Sequence, residues 1–488
     1  MKNYLSCPEI LLPGPHWRVT SVTLRTVTDN IDNLVQIRTQ LLYRGGAEDT
    51  CGQIFFFENL QTGRAQVLLC SAADFETPTL TVNNGKASLN PNDFPVTVAE
   101  CENGACEETV RAILREKRGG KQLYAISNTW GDGHRWDCVS DAFIRREIDS
   151  AAALGLDAVQ IDDGWQTGST ADKTICDENG RRVFADPFWE VNRERFPEDL
   201  ESVCRYAKEK NVGVGLWFAP DFHGHFAKMD RDIRVLSRAA ALGCAYFKLD
   251  MLFVLDREDK ARMLEYLNRL KAVGEVQLDV TNGVRLGYIA GGEHGTVFVE
   301  NRYMNHPVRY YPYRTLRNLW MLSRFVPSQR LQTELVNPDL YPESFAPDDV
   351  FQAKNFTMDY LFAIAAMANP LFWMEVQFLS ESRARELARI LPVWKSIRDD
   401  LANADVMPLG SEPDGCSFTG FFATGKENYL LLFREKTGKN EIAFSLPQTF
   451  RQFTVIATNF GGTVTPIPGG VKVTFNEDNT YLLVKAEA

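Results

Sequence analysis

The chain is short of positive charge. Its 53 Lys and Arg face 64 Asp and Glu, giving a formal net charge of -11 and a pI near 5.3. Phosphate backbones and anionic membranes recruit clustered Lys and Arg, so neither nucleic acid nor a membrane surface is an expected partner. The basic residues between Glu107 and Lys121 are interleaved with Glu108 and Glu116 and read as a solvated helix face. Long apolar runs are missing as well: no segment approaches the roughly 20 residues of a membrane span. The opening Met1-Lys2-Asn3-Tyr4-Leu5-Ser6-Cys7 lacks the apolar stretch of a secretory signal, which makes the cytoplasm the expected compartment. Ten cysteines in 488 residues do not suggest a disulfide framework. Cys138, Cys204 and Cys244 sit in apolar context as small hydrophobes, and Cys101 and Cys106 lack a second Cys/His pair at zinc-site spacing. Low-complexity tracts and internal repeats are absent too.

What is present is repetition of another kind. Six short apolar runs between residues 120 and 300, with tips at Ser127, Asp162, Ala219, Asp250, Val280 and Val299, each have a carboxylate, an aromatic or an amide at the tip or beside it. A parallel strand buried on both faces reads as an unbroken hydrophobic run, and side chains at its carboxyl end project into the mouth of an α/β barrel. Helical runs separate these strands. One begins at Ser140, the expected cap, and lines up Phe143, Ile144, Ile148, Ala151 and Leu154 before Gly155 stops it. Residues 325–331 and 367–373 are the candidates for a seventh and an eighth strand. Ser380 opens a last helix with Leu387, Ile390, Leu391, Trp394 and Ile397 on one face and a kink or break expected at Pro392.

Either side of this region the pattern is antiparallel. From Trp17 to about Thr97, segments rich in Val, Thr, Leu and Phe alternate with turn clusters such as Asn83-Asn84-Gly85, and from Asp405 onward short strands and Gly/Pro turns return. The expected architecture is therefore multidomain. An N-terminal β-sandwich occupies 1–105, a linker helix 106–120, a (β/α)8 TIM barrel 121–402 and a small antiparallel β-sandwich 403–488.

The strand tips carry the chemistry. Lys248 and Asp250 are two apart on an extended strand, so both side chains point to the same side, and the ammonium is expected to keep the carboxylate ionised. An ionised Asp at a barrel mouth suits attack on an anomeric carbon; an ordinary strand-end ion pair is the plainer alternative. Asp162-Asp163-Gly164-Trp165 reads as a sugar clamp, two carboxylates accepting hydroxyl hydrogens while an indole packs on the ring, with helix-capping acids as the plain alternative. No DxDxDG-type loop or third acidic ligand follows, so metal is not expected there. Asn282 and Arg285 follow the fifth strand and Glu300 the sixth. Glycoside cleavage needs a second carboxyl; Glu300 is the candidate and Asp279 the reserve, against a salt bridge from Glu300 to Arg302. Trp130 is a further stacking candidate. His223-Gly224-His225 has no further patterned ligand and reads as loop or substrate contact.

Five motifs then fall in one order: Asp162-Asp163-Gly164-Trp165, Trp189-Glu190-Val191-Asn192 with Phe196-Pro197, Gly215-Leu216-Trp217-Phe218, Phe247-Lys248-Leu249-Asp250 and Gly283-Val284-Arg285. Over roughly residues 105 to 400 this order and spacing resemble glycoside hydrolase family 36, the α-galactosidases of clan D. The resemblance implies a (β/α)8 barrel, retention of configuration, Asp250 as nucleophile, and a galactose pocket using Asp162, Asp163, Trp217, Lys248 and Arg285. It implies an α-galactoside substrate and neither a metal nor an organic cofactor.

Three tips depart from the family pattern. Trp217-Phe218-Ala219-Pro220-Asp221 stands where the family reads Trp-Phe-Glu-Pro-Glu, and Asp279-Val280-Thr281-Asn282-Gly283 replaces a run with cysteine and more glycine. Val299-Glu300-Asn301 stands at the acid/base Asp. Glu can make the same proton transfer with its carboxyl about one C–C bond farther out. The expected activity is a retaining α-galactosidase. A transglycosylase and a non-catalytic sugar-binding barrel are the alternatives, and the β flanks are compatible with a monomer or an oligomer.

Overall fold

The computed structural model describes residues 1–25, 34–42, 48–73, 75–118, 122–170, 184–221, 225–279, 285–299, 309–340 and 342–487. Its centre is a closed barrel of eight parallel strands in sequence order. These are β1 (Ile126–Asn128), β2 (Ala158–Ile161), β3 (Gly213–Phe218), β4 (Cys244–Leu249), β5 (Glu275–Asp279), β6 (Thr296–Val299), β7 (Leu331–Leu335) and β8 (Asn369–Phe372). β8 pairs with β1 through Leu371 and Ile126, which closes the ring. The first six strands lie where the apolar runs put them.

The seventh does not. Residues 325–331 finish a helical turn, and β7 begins at Leu331. Its Gln332, Thr333 and Glu334 are buried, so the strand carries polar side chains where a hydrophobic run was sought. The eighth falls inside the expected window.

The N-terminal part contains a six-stranded and a four-stranded antiparallel sheet, and the C-terminal part a five-stranded and a three-stranded one. Asn83-Asn84-Gly85 makes the tight connection of a hairpin, Thr79–Asn83 with Lys86–Asn90. Cys101 and Cys106, at the exit from the N-terminal sheets, are free thiols with sulfurs 3.8 Å apart.

Helix α1 (Cys106–Arg118) joins the N-terminal sheets to the barrel, with Val110, Ile113 and Leu114 buried. Helix α2 (Asp141–Leu154) follows β1 and ends at Gly155, as expected. Ser140 is its first flanking residue, but its hydroxyl donates to the Cys138 carbonyl and does not cap the helix. The buried stripe of α2 also contains an acid, Glu147, between Ile144 and Ile148. Helix α3 (Arg257–Leu270) follows β4. The last helix, α4 (Glu381–Asn403), starts at a capping Ser380, buries Leu387, Ile390, Leu391, Trp394 and Ile397, and runs through Pro392 without a break.

Candidate active site

The barrel interior narrows to a polar layer below the mouth. The Asn128 amide of β1 donates to Gln160 of β2 at 2.7 Å, and Gln160 donates to Gln277 of β5. On this layer stands Asp162, 2% exposed, whose Oδ2 accepts from Asn128 Nδ2 at 2.9 Å and pairs with Lys248 Nζ at 3.0 Å. Lys248 also reaches Asp279 Oδ2 at 3.3 Å, and its ammonium lies 4.4 Å from the centre of the Trp373 ring. Burial works against the lysine charge, but the carboxylates of Asp162, Asp279 and Asp250 outweigh it and hold the group above the usual lysine range.

Asp250 follows β4 directly and is half-buried. Its Oδ2 accepts from the Trp217 indole N–H at 3.1 Å and its Oδ1 from the Met251 N–H at 2.6 Å. Met251 has φ +54, a left-handed backbone uncommon outside glycine and found preferentially at functional sites. The pairing of Lys248 with Asp250 expected from their two-residue spacing is not what forms: the lysine's ion pairs go to Asp162 and Asp279, on other strands. Burial therefore raises the Asp250 carboxyl above the ordinary aspartate value. The Asp279 charge adds to that rise, while Lys248 and the Trp217 and Met251 N–H groups pull it back.

Asp163 turns the other way along the loop, taking hydrogen bonds from the Gln166 amide and the Thr170 hydroxyl. Gly164 has φ +128, and a Cβ there would meet Arg195 Nη1 at 3.1 Å and Trp136 Cα at 3.1 Å, so this turn has little room for a side chain. Trp165 does not offer a stacking face. It is 2% exposed, its N–H donates to the Trp217 carbonyl at 2.8 Å, and its ring packs 6.0 Å from Trp189 inside an aromatic cluster. An indole after Asp-Asp-Gly supports the loop from below because the tight turn sends it inward. Trp217 joins the same cluster, 5.7 Å from Trp189.

Trp130 is partly exposed beyond β1, packed at 5.2 Å on Trp136 with the Arg135 guanidinium 5.3 Å from its ring. Arg285 is buried, its guanidinium 4.3 Å from the Phe253 ring. Asn282, Glu300 and His223 lie outside the described residues. The structure thus gathers Asp162, Asp279, Lys248, Trp217 and Asp250 into one connected set at the carboxyl ends of β2 to β5.

Could the mouth hold a metal? Among the described residues, His225, Asp256 and Asp259 bring ligand atoms within 4.8 Å of one another. They are already committed to each other. Asp256 caps α3 through the Asp259 N–H, and His225 Nδ1 lies 2.9 Å from Asp259 Oδ1, which raises the imidazole pKa.

The Melibiase family model matches residues 107–233, the stretch that carries β1 to β3. "Alpha-galactosidase 1" of Pediococcus pentosaceus is 21% identical over 173 residues, 34% of this chain and 22% of that protein. An α-galactosidase of Lactobacillus acidophilus is 27% identical over 109 residues, 22% of this chain and 13% of that protein. The matched stretches thus span about a fifth or less of these relatives. Among solved structures, a family 36 α-galactosidase of Geobacillus stearothermophilus aligns over 98% of this chain and 76% of its own, with TM-score 0.70 and 12% identity. The chain is similar to family 36 α-galactosidases. The α-galactosidase of Lactobacillus brevis gives the same picture, with 98% and 75% coverage, TM-score 0.69 and 10% identity. The likeness of fold extends over both β flanks as well as the barrel, and the chain spans about three-quarters of the length of these two solved structures.

Two acids at the mouth were not legible as functional candidates. Asp132, after β1, and Glu375, after β8, are both buried, and with Glu147 of α2 they form a carboxyl cluster at the seam where the barrel closes. Glu147 gave a signal: a charged residue inside an apolar helical stripe must have a polar partner.

Proposed function

We propose that this chain is a glycoside hydrolase acting on α-galactosides with retention of configuration. In this reading Asp250 attacks C1 to form a covalent glycosyl-enzyme, and a second carboxyl protonates the leaving oxygen and then deprotonates water. The observation that carries the reading is the setting of Asp250. A half-buried carboxylate at a barrel-strand tip, gripped by an indole N–H and a backbone N–H, stands beside an ammonium shared by two more acids. Hydrogen bonds to the charged form orient the nucleophile, while partial desolvation strengthens it. Asp162, Lys248, Arg285 and Asn282 serve the sugar hydroxyls and Trp130 a face of the ring, while buried Trp217 acts through its N–H on Asp250 and Asp163 holds the loop beneath through Gln166 and Thr170. Glu300 is the acid/base candidate and Asp279 the reserve. Solved structures of a Geobacillus stearothermophilus relative hold raffinose and stachyose, which supports α-galactosyl oligosaccharides as the substrate class.

The test is incubation with a mechanism-based α-galactoside inactivator followed by peptide mass mapping. Label is expected on the peptide containing Asp250, and Asp250→Ala should lower turnover of an aryl α-galactoside at least about a thousandfold. Parent-rate turnover by that variant would refute the nucleophile assignment. Saturable galactose binding with neither label nor turnover would leave a carbohydrate-binding barrel. Glu300→Ala should lose natural substrates far more than activated aryl ones, because a good leaving group needs little protonation; that selective loss in Asp279→Ala instead would move the role to the reserve acid.

A further inference from the structure

The loops after β1 and β8 meet at the seam that closes the ring. Gly131 lies so close that a Cβ there would sit 1.8 Å from the Trp373 carbonyl oxygen. Next to it, the Asp132 carboxylate accepts the Glu375 N–H at 3.1 Å. Glu147, from α2, accepts the N–H groups of Val376 and Gln377 at 2.8 and 3.0 Å. The His134 ring packs 4.9 Å from Phe378, its Nδ1 3.6 Å from Glu375 Oε2. Apart from Asp132 and its own backbone, no described residue donates an N–H or hydroxyl hydrogen to the Glu375 carboxyl, though the side chain is fully buried. What faces it is the Asp132 carboxyl.

Two ionised carboxylates are both acceptors and repel; the contact is favourable only with a proton between them. Burial raises both groups, to about 7 for Glu375 and about 9 for Asp132, and the facing groups tune them. Glu147 adds negative charge, His134 lowers Asp132, and the Cys138 thiol, itself raised to about 11, faces Glu375. Trp130 lies two residues before Asp132. Trp373 lies two before Glu375, and its ring carries the Lys248 ammonium that Asp162 and Asp279 share.

We propose that Asp132 and Glu375 are positioning residues: one proton held between them locks the first and last barrel loops, and so fixes Trp130 at the rim and Trp373 beneath Lys248. Loss of that proton sets two like charges against each other at the seam and loosens the side of the pocket that orients the sugar. The positioning role rests on the glycosidase reading; the lock itself does not.

The experiment follows tryptophan near-UV circular dichroism of the full chain from pH 6 to pH 10, a range spanning the two raised values. Alongside it, kcat and KM on an aryl α-galactoside are measured for the parent, Glu375→Gln and Asp132→Asn. An amide keeps a hydrogen bond to the remaining carboxylate and cannot lose the charge balance. The parent should show a spectral step in this range, with KM rising on the order of tenfold across it and kcat changing less. Both variants should lack the step and keep a flat KM. A spectral step and KM rise in a folded variant equal to the parent's would overturn the proposal, and so would loss of the step with an unchanged KM profile. Two variants guard against one failing to fold. If no α-galactoside is turned over, the glycosidase reading fails and the spectral step alone still decides the lock.

Discussion

At the scale of single residues, the hydrogen bond from Trp217 to Asp250 has a calculable weight. A donor to a charged group contributes about 1.5–3 kcal/mol, so Trp217→Phe should lower kcat/KM about tenfold to hundredfold. The sign of its pH effect follows from the same bond. The N–H favours the charged carboxylate, and its removal raises the Asp250 pKa further, so the acidic limb of the pH–rate profile should move to higher pH. A pH–rate comparison of parent and variant reads both effects, and a limb that stays put or moves down would separate Trp217 from Asp250. Much at this scale was legible: Asp162, Lys248 and Asp250 interrupt apolar runs, and polar groups at the ends of buried strands need a reason to be there. The partner of Lys248 was not. Spacing along one strand says which side a residue faces, whereas the lysine's ion pairs, with Asp162 and Asp279, are made across strands and depend on barrel closure.

At the scale of elements, Gly131 approaches the β8 loop with no room for a side chain. Gly131→Ala should force the two loops apart and lower kcat/KM by tenfold or more, since displacements of about 1 Å near a reaction centre are that expensive. Gly438→Ala, where a Cβ meets nothing within 4 Å, is the matched control and should leave activity as it is. Steady-state kinetics on the two variants checks both. The strands themselves were readable where their side chains are apolar on both faces. β7 was not, because Gln332, Thr333 and Glu334 belong to the buried polar interior and hide the hydrophobic run. At Pro392 spacing alone left a kink and a break both open: a proline removes one helical hydrogen bond, and α4 stays continuous because the buried face of Leu387, Ile390, Leu391 and Trp394 holds it despite that loss.

At the scale of the whole molecule, α1 ties three regions together. Arg111, buried, donates to Asp405 at the start of the C-terminal strands and to the Arg324 carbonyl, while Arg324 pairs with Glu107 at 2.6 Å. Burial raises the Asp405 carboxyl, but Arg111 and Arg115 outweigh it and hold it below the usual aspartate value. Asp405→Asn would leave Arg111 without its counter-charge, at a cost of about 3–5 kcal/mol. Urea unfolding should show that loss in the transition releasing the C-terminal strands; a change under about 0.5 kcal/mol would mark the pair as incidental.

The pocket's charge inventory carries one more consequence. Among the described residues of the proposed site, the carboxylates Asp162, Asp250 and Asp279 outnumber the cations Lys248 and Arg285, and all but Asp250 are nearly sealed from solvent. So lopsided an enclosure is a trap for positive charge, and water is poorly placed to screen it. On the proposed reaction, a sugar ring that becomes cationic on its way through would be welcomed there more warmly than the neutral sugar that entered.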